Sequence, residues 1–289
     1  GVSGDQHTRF VRSSQRSLRQ KGRRVHFQGA EHTPLLDDVV KQQVSGNYVS
    51  IQVETEKGVQ ILTACGFANR TALLPRHYVD LMMKYPQVII HRALQPHTKL
   101  NYTFNYSDFV LSPISDIATW SLPASFGFFK DIRKFIALDA DLDDYLPVGG
   151  SILLAPNRKN PILKDQRIEF NGIQNSQIIR NNDNTKFEVY DVLTYNYSQS
   201  GACGSIVLME RSQRPIIGMH FAGIGTLTAG EGFAVLLTKE SLGSFGEIAS
   251  LQMEDVDLLS MEEAHIIMSE NCNVDYLGAL PKDKTPHSP

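Results

Sequence analysis

Twelve short runs rich in Val, Ile, Thr, Tyr and Phe, separated by glycines and by clusters such as Asn181-Asn182-Asp183-Asn184, constrain this chain more than any other feature. Runs of that length and composition read as strands, and the breaks between them as turns. Six fall at residues 48–54, 59–64, 71–74, 88–94, 109–111 and 116–122. After a break near 125–150 they resume at 152–155, 167–171, 187–194, 204–209, 216–221 and 232–237. Helical periodicity is confined to 36–44, 78–84, 239–245 and 253–268. Six strands on either side of one break predict an all-β chain of two small barrels or sandwiches in tandem.

Composition agrees with a packed core: of 289 residues, 42% are hydrophobic and 20% charged, a globular balance. No apolar run approaches the ~18 residues needed to cross a bilayer. With no Met at position 1 and no charged-then-apolar leader, no secretory signal is expected. Cys65, Cys203 and Cys272 lie far apart without CxxC spacing, so neither a disulfide framework nor a Cys-rich zinc site is expected, and a reduced intracellular setting is. His26, His32, His91 and His97 lack the i, i+4 spacing of a helix-borne zinc site, and no Walker-type loop is present. No metal or cofactor is therefore expected.

The net charge of −3 hides opposed ends. Residues 1–30 carry seven Arg and Lys against Asp5 alone, and residues 251–289 carry eight Asp and Glu against Lys282 and Lys284. A basic end attracts phosphates and an acidic end repels them, so both read as appendages to a central core. Arg9, Arg12, Arg16, Arg19 and Arg23 would share one helix face. The opposite face is too weakly apolar for a membrane helix, which leaves a solvated basic arm or an RNA contact.

The chemistry concentrates in Ser200-Gly201-Ala202-Cys203-Gly204-Ser205. Glycines around a single nucleophile let the backbone turn tightly and aim successive N–H groups into one cavity, as an oxyanion requires. A Cys nucleophile needs a base. Of nine histidines, His77 stands where the apolar strand 71–74 runs into a short helix. Asp116, which opens the strand Asp116-Ile117-Ala118-Thr119-Trp120, is the candidate to fix the imidazole, with Asp108 its main rival. Cys65, after an apolar strand, reads as packing.

This pattern resembles the picornavirus-type 3C cysteine proteinases, through residues 45–245 and most strongly in the second half. Gly201-Ala202-Cys203-Gly204 resembles the nucleophile loop of that family, and Gly218-Met219-His220-Phe221-Ala222-Gly223 its Gly-x-His-x-x-Gly strand. The run 232–237 resembles the strand that follows, and Lys130-Asp131-Ile132-Arg133 the basic segment between the barrels. Within that family the resemblance points to dicistrovirus-like polyproteins as the source. The resemblance implies a chymotrypsin-like double six-stranded β-barrel with short helices and terminal extensions. Its partition would be a basic arm (1–34), a barrel with base and acid (35–130), a linker (131–150), a barrel with nucleophile and S1 pocket (151–250) and an acidic tail (251–289).

The resemblance further implies a triad of Cys203, His77 and Asp116, with Gly201, Ala202 and Cys203 forming the oxyanion hole. His220, Ser198, Ala222 and Gly223 would line an S1 pocket for Gln. His220 must be neutral there, its tautomer fixed by a nearby hydroxyl or backbone group. Val25-His26-Phe27-Gln28-Gly29-Ala30 then reads as a processing junction. Viral polyproteins would be the substrates, in the host cell cytoplasm, with viral RNA a second partner of Lys130, Arg133 and Lys134. The tail's run 253–268 could dock on the barrels or on a downstream polyprotein region. The alternative is an RNA-binding or scaffold protein on the same double barrel with little catalysis.

Overall fold

The structure, a computed structural model, describes residues 34–143, 149–156, 162–180, 186–225 and 230–246. The basic arm, the junction at Gln28-Gly29, Cys272 and the expected helix at 253–268 lie outside the described residues. Among those described, no helix is long and apolar enough to cross a membrane.

Helix α1 (Pro34–Asn47) buries Val40 and Val44, one turn apart, and packs on β2 (Gly58–Ala68). Asn47 ends the helix fully buried, and its amide donates to the Gly66 and Lys130 carbonyls at 3.0 and 2.7 Å and accepts the Lys130 N–H at 3.0 Å. The inter-barrel segment is thereby clasped to the first sheet. That sheet also holds β1 (Tyr48–Thr55), β3 (Thr71–Leu74), β4 (Gln87–Arg92), β5 (Leu100–Thr103), β6 (Phe109–Leu111) and β7 (Ala118–Ser121), with helix α2 (His77–Lys84) between β3 and β4. The order is β5-β4-β1-β2-β3-β7-β6, antiparallel throughout.

Here the architecture departs from two equal six-stranded barrels. The first sheet has a seventh strand, β5, and its end strands β5 and β6 do not pair. An aromatic cluster fills the gap instead. Tyr102 of β5 meets Trp120 of β7 at 5.5 Å between ring centroids, Phe109 of β6 stacks on Trp120 at 5.6 Å, and Phe104 meets Phe109 at 4.5 Å. Ring packing, rather than a ladder of backbone hydrogen bonds, brings the two end strands together.

The second half is a closed six-stranded barrel, as expected: β8 (Gly149–Leu154), β9 (Lys164–Arg180), β10 (Lys186–Tyr195), β11 (Ile206–Met209), β12 (Ile216–Ile224) and β13 (Glu231–Leu236), ordered β10-β13-β12-β11-β8-β9. Ile152, Ile168, Leu193, Val207 and Ile217 fill its interior. A larger apolar cluster joins the two halves, from Leu73, Leu74 and Tyr78 to Cys203, Phe221 and Leu237. The connecting segment is bound to both: Ile132 N–H donates to Phe67 at 2.8 Å and Ala137 N–H to Ile216 at 2.9 Å. Arg214 forks onto Asp141 of α3 (Asp139–Asp143) at 2.5 and 2.8 Å. Helix α4 (Lys239–Gly246) ends the described chain.

Candidate active site

Strand β3 ends at Leu74 and Pro75 turns the chain into α2, so that His77 stands at the first helical position. Arg76 anchors the turn by donating to the Ser112 carbonyl at 2.5 Å. That carbonyl begins the loop from β6 to β7, which Ser112 organises. Its hydroxyl accepts the amides of Ile114 and Ser115 at 3.3 and 3.1 Å, and its amide donates to Ile117 at 2.9 Å. The loop places Asp116, fully buried, against His77. Asp116 accepts the His77 backbone N–H at 2.9 Å and lies 2.6 Å from ring Nδ1. A carboxylate can only accept, so Nδ1 carries the proton and Nε2 is the basic nitrogen. The rival Asp108 is engaged elsewhere, accepting the hydroxyl of Tyr102, which in turn accepts Trp120 Nε1–H at 3.4 Å.

The glycine turn around Cys203 lies between β10 and β11. Gly201 and Gly204 take φ of +84° and +78°, a left-handed backbone that side chains disfavour. Inside the turn Ala202 N–H donates to Gln199 at 3.2 Å and Ser205 N–H to Ala202 at 3.0 Å. Of the three amides expected to face an oxyanion, that of Ala202 is therefore turned into the loop. The turn is laced to β12: Gly204 N–H donates to the His220 carbonyl at 2.6 Å, and His220 N–H to Ser205 at 2.9 Å. Cys203, itself buried, donates its thiol to the Phe221 carbonyl at 3.0 Å.

His220 is fully buried, and burial pushes its pKa down to about 3, so the ring is neutral at physiological pH. The Tyr195 hydroxyl meets Nδ1 at 2.5 Å, while Nε2 has no hydrogen-bond partner among the described residues. Burial also raises the Tyr195 hydroxyl well above the usual tyrosine range, with the charge of Cys203 next in effect. The expected tautomer-fixing hydroxyl is thus Tyr195, at the end of β10. Sequence reading did not single it out, although a tyrosine that ends a strand needs a partner for its hydroxyl once buried.

Two glycines shape the wall beside this ring. A Cβ on Gly223 would lie 2.4 Å from Ser198 Oγ, and one on Gly232 would lie 2.2 Å from the Tyr197 carbonyl. The two pair across β12 and β13 and let the segment from Tyr195 to Ser198 lie close over the sheet. Ala222, between His220 and Gly223 on β12, is buried. The structure therefore gathers Ser198, His220, Ala222 and Gly223 at one end of β12.

The basic segment differs from a bare cationic face. Arg133 is forked onto Asp131 at 2.6 and 2.9 Å, and the hydrogen bonds and charge of Arg133, outweighing burial, hold the Asp131 carboxyl below its ordinary range. Lys134 lies over the Phe135 ring at 4.9 Å, and Lys130 is exposed. Of the three side chains expected to meet RNA, Arg133 is paired with a carboxylate.

A half-barrel carrying a His–Asp pair, joined to a closed barrel carrying a Cys in a glycine turn, defines a chymotrypsin-like cysteine protease. The profile of the 3C cysteine protease (picornain 3C) family matches residues 37–225. The chain belongs to that family, and it is a 3C-like cysteine endopeptidase. It is 28% identical over 181 residues to the genome polyprotein of Deformed wing virus, covering 54% of this chain and 6% of the length of that polyprotein. An active-form protease from M. tuberculosis shares the fold, with a TM-score of 0.50, 14% identity, and 83% and 97% of the two chains covered. The tobacco etch virus protease complexed with product aligns at a TM-score of 0.47 and 13% identity over 86% of this chain and 90% of its own.

Proposed function

We propose that this chain processes a viral polyprotein by cleaving after Gln, with Cys203 as nucleophile, His77 as base and Asp116 as the group that orients His77. One observation carries the specificity: His220 is buried and neutral, Nδ1 on the Tyr195 hydroxyl and Nε2 without a partner. With the hydroxyl donating to Nδ1, the Nε2–H remains to donate to a carboxamide oxygen. A Gln side chain satisfies that donor. Leu would leave it unpaired, and a carboxylate would have to be desolvated against a neutral ring.

The reaction is acyl transfer. His77 Nε2 takes the thiol proton as Cys203 sulfur bonds to the carbonyl carbon of the P1 Gln. The N–H groups of Cys203 and Gly201 receive the oxyanion, since Ala202 N–H is committed to Gln199. As the C–N bond breaks, the imidazolium passes that proton to the leaving amine. Water, deprotonated by His77, then attacks the thioester carbon, and the proton returns to the departing thiolate. Asp116 stabilises the imidazolium in both halves.

Gln28-Gly29 in Val25-His26-Phe27-Gln28-Gly29-Ala30 is the proposed processing junction in the chain itself. The test is cleavage of peptides that differ only at P1. Gln should be cut, and the Glu and Leu versions should be poorer by about 10²-fold or more in kcat/KM. His220→Ala should flatten that preference. Equal cleavage of all three would remove the assignment of His220.

A further inference from the structure

We propose that Tyr48 is a positioning residue for the nucleophile, a strut from the sheet that holds the base to the turn that holds Cys203; this rests on reading Cys203 as the nucleophile. Tyr48 opens β1, in the half that carries His77 and Asp116, and its side chain is fully buried. Its hydroxyl crosses into the other barrel, where it accepts the Ile206 N–H at 3.0 Å and donates to the Leu153 carbonyl at 2.6 Å. Ile206 and Leu153 are register partners at the start of the β11–β8 ladder. A hydroxyl of one half thus bridges two strands of the other, three residues after Cys203.

The backbone amides that follow the nucleophile show why the strut matters. Gly204 N–H goes to His220 and Ser205 N–H to Ala202, both within the second barrel. The Ile206 N–H goes to Tyr48, the one of these three bonds made across the halves. Each of the two catalytic partners is rigid within its own half, but their mutual distance depends on how the halves sit together. A hydrogen-bonded strut at the end of the turn fixes that relation at the point where it acts on the sulfur. Burial keeps the phenol protonated, well above the ordinary tyrosine range, so it can accept and donate at once. Without the hydroxyl, Ile206 N–H and Leu153 C=O lose a shared buried partner, and the strands shift to recover one.

The experiment compares wild type, Tyr48→Phe, Cys203→Ala and, as a control, Tyr102→Phe, which loses a half-buried hydroxyl of the first sheet bound to Asp108. Steady-state kinetics on a Gln-containing peptide are referred to the folded fraction by circular dichroism, and Cys203 alkylation by iodoacetamide is timed at pH 7. Because misplacing a reacting atom by about 1 Å slows chemistry by on the order of 10²-fold, Tyr48→Phe should lower kcat about 10- to 100-fold with KM within about threefold. Alkylation should slow as Cys203 shifts relative to His77, and Tyr102→Phe should change neither. Wild-type kcat and alkylation in Tyr48→Phe would overturn the proposal, as would equal losses in both tyrosine variants. A Tyr48→Phe chain that does not fold would also overturn it, making the hydroxyl a folding element. Activity persisting in Cys203→Ala would instead refute the underlying reading of the nucleophile.

Discussion

Asp116 grips His77 twice, with one carboxylate oxygen on the ring and the other on the residue's own backbone amide. The double contact fixes both the position of the helix start and the tautomer of the imidazole. It also separates the two candidate acids: Asp108, eight residues upstream, is bound to Tyr102 on the far edge of the same sheet.

Asp116→Asn keeps the shape but presents an amide that can donate to Nδ1 and favour the wrong tautomer. The expected loss in kcat is about 10- to 100-fold, smaller than the ~10⁴ typical of a serine triad, because a thiol needs less help. Asp108→Asn should lower stability by about 1 kcal/mol through Tyr102 and leave kcat near wild type. Peptidase kinetics and thermal unfolding of the two variants check the pair, and a reversed pattern would move the acid to Asp108.

His220 also sets an acid limit on stability. Its pKa in the fold is about 3 against an ordinary 6.5, so between these values the unfolded chain binds more protons. Its contribution is fully present above about pH 6.5 and is lost as pH falls toward 3. His220→Gln should remove about one proton from the uptake on unfolding between about pH 4 and 6. Denaturant titrations at several pH values measure this, and an unchanged slope would show that His220 is not buried neutral.

Asp191 works in the opposite sense. Burial, reinforced by Asp139, raises its carboxyl to about 6, and its backbone is left-handed at φ +52°. A raised carboxyl pKa means stability present below about 4 and lost as pH rises through 6. Asn tolerates that backbone and carries no charge. Asp191→Asn should therefore stabilise the protein at pH 7 by about 1 kcal/mol, after allowance for solvent screening, and by nothing at pH 4. Melting curves at the two pH values decide it.

The paired glycines Gly223 and Gly232 should separate binding from folding. Gly223→Ala pushes first against Ser198 Oγ, which can rotate away, and then sits 3.0 Å from Ser198 Cβ and 3.3 Å from the Glu231 carbonyl. It should lower the melting temperature less than Gly232→Ala does and raise KM for Gln peptides. Gly232→Ala meets a backbone carbonyl, and such overpacking destabilises by about 1–3 kcal/mol.

Much of this was legible in the sequence because strands buried on one or both faces are written in apolar runs. All twelve expected strands occur, some longer than read. The missed β5, Leu-Asn-Tyr-Thr, alternates half-buried with exposed residues at a sheet edge and carries too little apolar signal. Strand β9 extends to Arg180 beyond the expected 167–171 through Asn, Gln and Ser, and gains its pairing from β10 rather than from burial. Glycine spacing marked the tight turn around Cys203 and the strand that carries His220. The contacts of Tyr195 with His220 and of Tyr48 with Ile206 were not legible, since the partners lie 25 and 158 residues apart in sequence; the closed barrel brings the first pair together and the packing of the two halves the second.

The most direct measurement is cleavage of a peptide spanning residues 25–30 by wild type and by Cys203→Ala. Cutting between Gln28 and Gly29 by wild type, abolished in the variant, is the expected result. Wild type that leaves this and every other Gln-containing junction intact, or a Cys203→Ala variant that still cuts, would contradict a Gln-specific cysteine protease built on Cys203.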